Sequence, residues 1–228
     1  MKNIFYILIF LNFSFFSTAM AESPLNAKCK AYVKNPSVTV TASYGTLTYD
    51  TSKVTRTLTR MHMTEYGGDV HDGYQITGLA TYDLGTELNF NLSKQKLNDG
   101  TVCFYPGDIK LDISMRNPTI YISRNIKKGT CAYEVALRHE QTHQQINMEV
   151  IEKYMPVIKD RFLEAVKKYA IASRAKDDIE MEIVQQGLQK KYLEAIKPVL
   201  EEIRKEIKTE QEKLDNVENY NYEQSLCQ

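Results

Sequence analysis

The segment Arg138–Gln144 places two histidines and a glutamate in the order His-Glu-x-x-His within a strongly helical stretch. On an α-helix, residues four positions apart lie on one face about one turn apart, so His139 and His143 can bind one metal ion. Glu140 lies beside that face, where its carboxylate can accept a proton from water at the metal. The chain has only four histidines, and two of them are in this motif. The pattern predicts a Zn²⁺ site used for hydrolysis, and a solvated helix with two histidines by chance is the alternative.

A catalytic zinc needs three protein ligands and an open position, and the motif supplies only two ligands. Glu149 occupies the third-ligand position of the extended metzincin motif, but Ile146 replaces the glycine at which that helix turns. In an unbroken helix Glu149 points about 120° away from His143. Glu164 has roughly the sequence spacing of a gluzincin ligand, yet it lies about 30 Å along the helix if Pro156 only kinks it. The third ligand is therefore expected elsewhere.

From Cys131 onward the pattern is almost entirely helical. Thr130 is predicted to cap the motif helix, and Pro156 to kink or restart it. A second long helix is predicted from Ile179 to Leu214, with a kink at Pro198. Its apolar residues recur at three- and four-residue steps, as in a coiled coil.

An antiparallel hairpin of these two helices, turning near Ser173–Asp178, places residues 206–213 opposite the motif histidines. Glu210 occupies a position in the apolar seam where a carboxylate is unexpected, and Glu206 is one turn earlier. The segment Leu214–Tyr220 is also within reach if the helix ends near Leu214. The C-terminal end of the chain therefore offers several carboxylates as the third ligand.

The first half of the mature chain is rich in β-branched and aromatic residues that alternate with polar ones. Predicted strands are Ser37–Thr41, Gly45–Tyr49, Tyr74–Tyr82, Glu87–Leu92, Ile109–Met115 and Thr119–Ile122. A turn at Asn117-Pro118 would pair the last two as a hairpin, and a short helix would follow Ser52. The fold class is thus predicted as α+β, with antiparallel strands preceding the motif helix and a long antiparallel helical hairpin. An extended peptide could add to an edge of such a sheet as a further strand.

Two histidines lie in this first half. His62, between Met61 and Met63, is predicted to pack against apolar neighbours, and His71, beside Asp72-Gly73, to be a solvated loop residue. A second metal site at His71 is the alternative.

Residues 1–21 have the organisation of a signal peptide: a basic Lys2, an apolar run and a small-x-small ending at Ala21. Cleavage leaves residues 22–228, whose length suits a single domain or one domain with a helical extension, with a β-rich part (22–130) and a helical part (131–228). An uncleaved anchor is the alternative. The mature chain has 28 basic and 29 acidic side chains, a balance that argues against nucleic acid as a partner and gives no reason to expect attraction to anionic membranes. The protein is predicted to be exported, either periplasmic or secreted, without a later membrane span.

Four cysteines in an exported chain predict two disulfide bonds. None has C-x-x-C spacing, so a structural zinc site is not expected at them. We predict that Cys103 pairs with Cys131, closing the strands that lead into the motif helix. Cys29 would then pair with Cys227 and join the two ends of the mature chain.

Three stretches of the sequence, taken together, resemble a known protein family. They are Asp72–Tyr82, Cys103–Leu111 and His139–Ile146. Together, across residues from about Val38 to Tyr220, they resemble the bacterial family of secreted zinc-dependent proteases. The resemblance implies a zincin-like domain, a zinc cofactor and a peptide or protein substrate.

Members of that family carry a Tyr-Asp-x-x-Thr-x-His-Gly stretch after the long helices, and Leu214–Tyr220 takes its place here. Asp215 is retained, while Glu218 replaces the threonine and Tyr220 replaces the histidine. The resemblance therefore implies Glu218 as the third zinc ligand, because carboxylates are ordinary zinc ligands and tyrosine is a rare one. Asp215 and then Glu210 follow as alternatives.

The sequence thus predicts an exported zinc metallopeptidase with Glu140 as general base. Zinc would lie on His139, His143 and Glu218, and Tyr220 or Tyr222 could stabilise the oxyanion. Two alternatives remain: a zinc protein of the cell envelope without catalysis, and a metal-free helical hairpin that binds a partner.

Overall fold

A computed structural model describes residues 24–32, 35–66, 75–174 and 180–227. The predicted signal peptide, His71 and the Asp72-Gly73 turn lie outside these residues. In chain order the helices are α1 (Pro24–Lys30), α2 (Thr55–Tyr66), α3 (Cys131–Tyr169), α4 (Met181–Leu214) and α5 (Val217–Ser225). The strands are β1 (Val38–Tyr44), β2 (Thr48–Asp50), β3 (Gly78–Lys96), β4 (Val102–Ile122) and β5 (Ala172–Arg174). The predicted α+β class is confirmed.

Strand β4 is the centre of a mixed five-stranded sheet. Along one side it pairs in parallel first with β1 and then with β2. Along the other side it pairs antiparallel with β3, and β5 pairs antiparallel with its first residues. The parallel pairing of β1 and β2 was not predicted from the sequence.

The predicted hairpin at Asn117-Pro118 is wrong, because β4 continues through these residues to Ile122. The register of β3 shifts here: Thr81 pairs with Thr119 and Asp83 with Arg116. The two strands therefore contribute unequal numbers of residues between these pairs, which is a β-bulge. Asn117 adopts a left-handed conformation with φ of 52°, and a bulge accommodates the proline that a regular central strand would not. The turn signal in the sequence thus marks a bulge.

Helices α3 and α4 run antiparallel. Three side-chain hydrogen bonds show the register: Lys153 with Glu206, Gln211 with Asn147, and the Tyr192 hydroxyl with the Tyr169 carbonyl. As the residue number rises along one helix, it falls by a similar amount along the other. The chain opposite His143 is consequently a few residues beyond Gln211, past the predicted range of 206–213.

Neither helix ends at its proline. The α3 helix runs for 39 residues through Pro156, and α4 runs for 34 residues through Pro198. Both helices pack on the apolar face of the sheet. The core includes Phe104, Ile109, Leu111, Ile113, Phe162, Tyr192 and Ile196, all almost fully buried.

Two disulfide bonds join Cys29 to Cys103 and Cys131 to Cys227. The predicted pairing of Cys103 with Cys131 and of Cys29 with Cys227 is wrong. Cys131 begins α3 at the end of the sheet where β4 finishes, whereas Cys103 lies at the opposite end of that 21-residue strand. The two cysteines are therefore separated by almost the whole length of β4. No helix in the described ranges is long and apolar enough to cross a membrane.

Candidate metal centre

Helix α3 holds both motif histidines in place. Thr130 caps the helix by accepting a hydrogen bond from the backbone N–H of Tyr133, as predicted. His139 and His143 are 7% and 8% exposed, so their rings lie in the interior. The ring centroids are 4.8 Å apart, and the two Nε2 atoms are 3.1 Å apart. The helical spacing thus brings the two ring nitrogens to one point.

A carboxylate reaches the same point from the other end of the chain. Helix α4 ends at Leu214, and Asp215 follows as its C-cap with φ of −84° and ψ of 53°. Asn216 then caps the start of α5, its side chain accepting a hydrogen bond from the Asn219 N–H. The chain therefore changes direction at Asp215, opposite the histidines in the register of the hairpin.

Three donor atoms converge at this point. The Asp215 Oδ1 atom lies 3.0 Å from His139 Nε2 and 3.1 Å from His143 Nε2. With the two nitrogens 3.1 Å apart, the three atoms form a nearly equilateral triangle, referred to below as the donor triangle. Among the described residues, these are the metal-ligating side chains (of the His, Cys, Asp and Glu types) that lie close enough together to hold one metal ion. A possible His-His-Asp metal site is therefore present.

Helix α5 adds two further groups around the triangle. Glu223 Oε2 lies 3.0 Å from His139 Nδ1, and its side chain is only 13% exposed. The Tyr220 hydroxyl donates to Asp215 Oδ1 at 2.7 Å, and its ring lies 5.5 Å from that of His139. The Cys131–Cys227 disulfide joins the end of this segment to the first residue of α3. One short C-terminal segment thus surrounds the histidines and is covalently tied to their helix.

The groups of this cluster shift one another's pKa values. Burial alone would raise the pKa of Asp215, but hydrogen bonds from His139, His143 and Tyr220 hold it well below its usual range. Burial alone would lower the pKa of His139, but the Asp215 hydrogen bond and the charges of Glu140 and Glu223 raise it to about 8. Burial and the charge of Asp215 raise the pKa of Tyr220 well above its usual value. Asp215 is therefore a carboxylate at neutral pH, and Tyr220 is a neutral O–H donor.

Glu140 is in a different environment. It is 6% exposed and lies against the start of β3. Burial raises the pKa of Glu140 to about 7, although the charges of His143 and His139 and a hydrogen bond from the backbone of Ala80 oppose that shift. A carboxyl group with a pKa near neutrality can both accept and deliver a proton.

A further histidine approaches the cluster from α2. Burial lowers the pKa of His62, with the charge of Asp215 opposing this effect and that of His143 adding to it. These charge interactions indicate that His62 lies within electrostatic range of the donor triangle, and its side chain is half-buried. The proximity was not predicted, because nothing local to α2 indicates what packs against it.

The other predicted carboxylates lie elsewhere. Glu218 is exposed in the first turn of α5 and is not part of the donor triangle. Glu210 forms an ion pair with Lys213. Glu149 accepts a hydrogen bond from Gln145 on the exposed side of α3. Glu164 lies farther along the same unbroken helix. Of the alternatives weighed from sequence, only Asp215 reaches the histidines.

Glu223 was also not predicted, since it lies outside the segment Leu214–Tyr220. Its only signal is the three-residue spacing from Tyr220, which places both side chains on one face of α5. Such a signal has meaning only once Asp215 is known to face the histidines.

A groove of about 580 Å³ lies on another side of α3. It is lined by Leu47, Tyr49, Gln141, Gln144, Gln145, Met148, Glu149 and Glu152. None of the three donor residues lines it. This groove is therefore separate from the donor triangle.

Comparison of the chain with protein-family models, with curated proteins and with solved structures finds no match.

Proposed function

We propose that this chain is an exported zinc-dependent metallopeptidase. His139, His143 and Asp215 would hold the ion, Asp215 taking the role that the sequence predicted for Glu218, and Glu140 would be the general base. The observation that carries the proposal is the convergence of three donor atoms from residues 139, 143 and 215 at separations of 3.0 to 3.1 Å.

Zinc fits these donors by distance. Ligand atoms of a tetrahedral zinc ion, with bonds of about 2.0–2.1 Å, are about 3.3 Å apart. The observed separations of 3.0 to 3.1 Å are close to that value. Two imidazole nitrogens and one carboxylate oxygen are also a donor set of catalytic zinc sites, which keep a fourth position open.

Zinc fits the site by charge as well. Glu140, Asp215 and Glu223 bring three carboxyl groups close to two imidazoles in a largely buried space. Carboxylates in excess of cationic partners are unfavourable in the interior, and a divalent cation offsets them.

The chain's own residues have distinct tasks in peptide hydrolysis. A zinc ion held by these residues would supply a Lewis acid, which brings the pKa of water to about 7 and polarises the scissile carbonyl. Glu223 accepts the Nδ1–H of His139, which fixes the ring and leaves the Nε2 lone pair directed at the donor triangle. Asp215 supplies the negative oxygen of the triangle.

Glu140 moves the proton. Its carboxylate accepts a proton as the water oxygen bonds to the carbonyl carbon, and it delivers that proton to the amine nitrogen as the C–N bond breaks. The Tyr220 hydroxyl has one proton, which it donates to Asp215, so it would stabilise the oxyanion that forms between these two steps by turning its O–H from Asp215 to that oxyanion.

The sheet supports a peptide as substrate. Among the described residues, β3 pairs only with β4, and its first residues lie beside Glu140. An extended peptide can hydrogen-bond to the part of that edge beyond Ala80, whose backbone N–H is taken by Glu140. The two disulfide bonds support an exported location, periplasmic or secreted, because disulfides persist in oxidising compartments.

Glu140→Gln tests the mechanism directly. The amide keeps the size of the side chain but cannot accept the proton, so we expect zinc content to stay at one per chain and peptidase activity to fall about 10²- to 10⁴-fold. Zinc is measured by elemental analysis of the purified exported protein, and activity with casein or a fluorogenic peptide library. Equal activity of the variant and the wild type would refute the role of Glu140.

The burial of both histidines supports a second candidate, a zinc site that stabilises the fold without catalysis. At 7% and 8% exposure, the rings leave little room for substrate unless α5 moves. In that case chelation would lower the melting temperature of the protein, and no peptidase activity would be found with any zinc-loaded preparation.

A further inference from the structure

Strand β3 begins in unusually close contact with Glu140. A Cβ atom built on Gly78 would lie 2.4 Å from Glu140 Oε1, 2.6 Å from its Cγ and 2.8 Å from its Cδ. Atoms in folded proteins do not approach this closely. Any residue other than glycine at position 78 would therefore force part of the Glu140 side chain to move.

The conformation of the backbone does not explain this glycine. Among the described residues, the glycines with positive φ are Gly100 and Gly129. Gly78 lies in a regular antiparallel pair with Ile122, a conformation open to any residue. The lack of a side chain, and not freedom of the backbone, is what this position provides.

The register of β3 shows which groups face Glu140. The carbonyl of Thr77 accepts a hydrogen bond from the Ser123 N–H, so the backbone polar groups of Thr77 face β4. Those of Gly78 and Ala80 then face the outer edge, because they alternate along an antiparallel strand. The Ala80 backbone hydrogen-bonds the Glu140 carboxylate from that edge. Because Gly78 has no side chain, a space remains beside the Ala80 N–H that the Glu140 carboxyl group fills. This space between Gly78 and Ala80 is called the slot below.

We propose that Gly78 is a positioning residue for the general base: its missing side chain leaves the slot that holds the Glu140 carboxyl beside the metal-site histidines. This inference rests on the proposed function only where it concerns catalysis. The three nearest atoms that a Cβ would meet all belong to the Glu140 side chain, so a methyl group at position 78 would displace the Glu140 carboxyl before any other group.

The test is Gly78→Ala, with Gly85→Ala as the matched control. Gly85 lies on the same strand, and its Cβ would come within 2.6 Å of the Arg116 side chain, which is not part of the donor triangle. We expect Gly78→Ala to keep one zinc per chain and to lose about 10²- to 10⁴-fold in kcat, the range for loss of a general base. Gly85→Ala should stay close to the wild type. Equal kcat for Gly78→Ala and the wild type would overturn the inference.

A double-mutant cycle separates positioning of the base from general damage to the strand. In a Glu140→Gln background, Gly78→Ala should cause no further loss of kcat, because the base is already absent. A further loss of the same size would show that Gly78 acts through the fold, and it would refute the inference.

A stability cycle decides the matter independently of catalysis. Gly78→Ala should lower the melting temperature of the otherwise unaltered chain and have no such effect in Glu140→Ala, which removes the atoms that the new methyl group would meet. The same decrease in both backgrounds would refute the slot. If the wild type shows no peptidase activity, the proposed function fails, and this cycle still tests the placement of Glu140.

Discussion

Asp215→Asn removes the charge of the third donor while keeping its shape. The amide retains an oxygen that can accept the Tyr220 hydrogen bond, so the turn between α4 and α5 should persist. Structural zinc sites with four ligands contribute about 10–16 kcal/mol, which is about 2.5–4 kcal/mol for each ligand. Because every 1.4 kcal/mol corresponds to about a tenfold change in affinity, we expect zinc to bind about 10²- to 10³-fold more weakly.

The assay is competition with a chromophoric chelator at constant pH and ionic strength. Glu218→Gln is the matched control, because it also replaces one carboxylate by an amide. Glu218 lies close by in sequence, in the first turn of α5, but it is exposed and outside the donor triangle. We expect its zinc affinity to equal that of the wild type. Unchanged zinc affinity in Asp215→Asn, or a large loss in Glu218→Gln, would refute the assignment of the third ligand.

Three further predictions concern the surroundings of the site and the long helix behind it. Replacing Cys131 and Cys227 together by serine should weaken zinc binding as well as lower stability by about 2–5 kcal/mol, because the disulfide ties α5 to α3. Removal of the Cys29–Cys103 bond should lower stability alone, and calorimetry with zinc titration distinguishes the two. Zinc binding at pH 7 should release roughly one proton from His139, whose pKa is raised to about 8. Titration calorimetry in two buffers of different ionisation enthalpy measures this release, and its absence would contradict the prediction. Gly187→Ala should raise the unfolding free energy by about 0.5–1 kcal/mol, because glycine within a helix is less stable than alanine. Gly187 lies well inside the length of α4, and a Cβ there would meet no neighbouring group within 4 Å. A lower midpoint in denaturant would count against it.

Several features of the fold follow from local sequence. The hydroxyl of Thr130 caps α3 as predicted, because an N-cap depends only on neighbouring backbone groups. The α+β class follows from the period of the apolar residues. The signal at Asn117-Pro118 does mark an irregularity, but only the pairing of β4 on both sides makes it a bulge and not a turn.

The disulfide pairing could not be derived from spacing. Cys103 and Cys131 are closer in sequence than either is to its true partner, yet β4 carries the chain away from Cys103 before α3 begins. Pairing depends on where the ends of long elements lie, and the sequence pattern does not specify that.

The placement of His139 and His143 on one face follows from the sequence alone, because positions i and i+4 of a helix share a face whatever surrounds them. The third donor atom, on Asp215, depends instead on how the two long helices pack. The register of the α3–α4 hairpin, set by side-chain packing along its whole length, brings Asp215 and not Glu218 or Glu210 to the histidines. A shift of a few residues in that register would exchange one carboxylate for another, and such a shift leaves no local signature in the sequence.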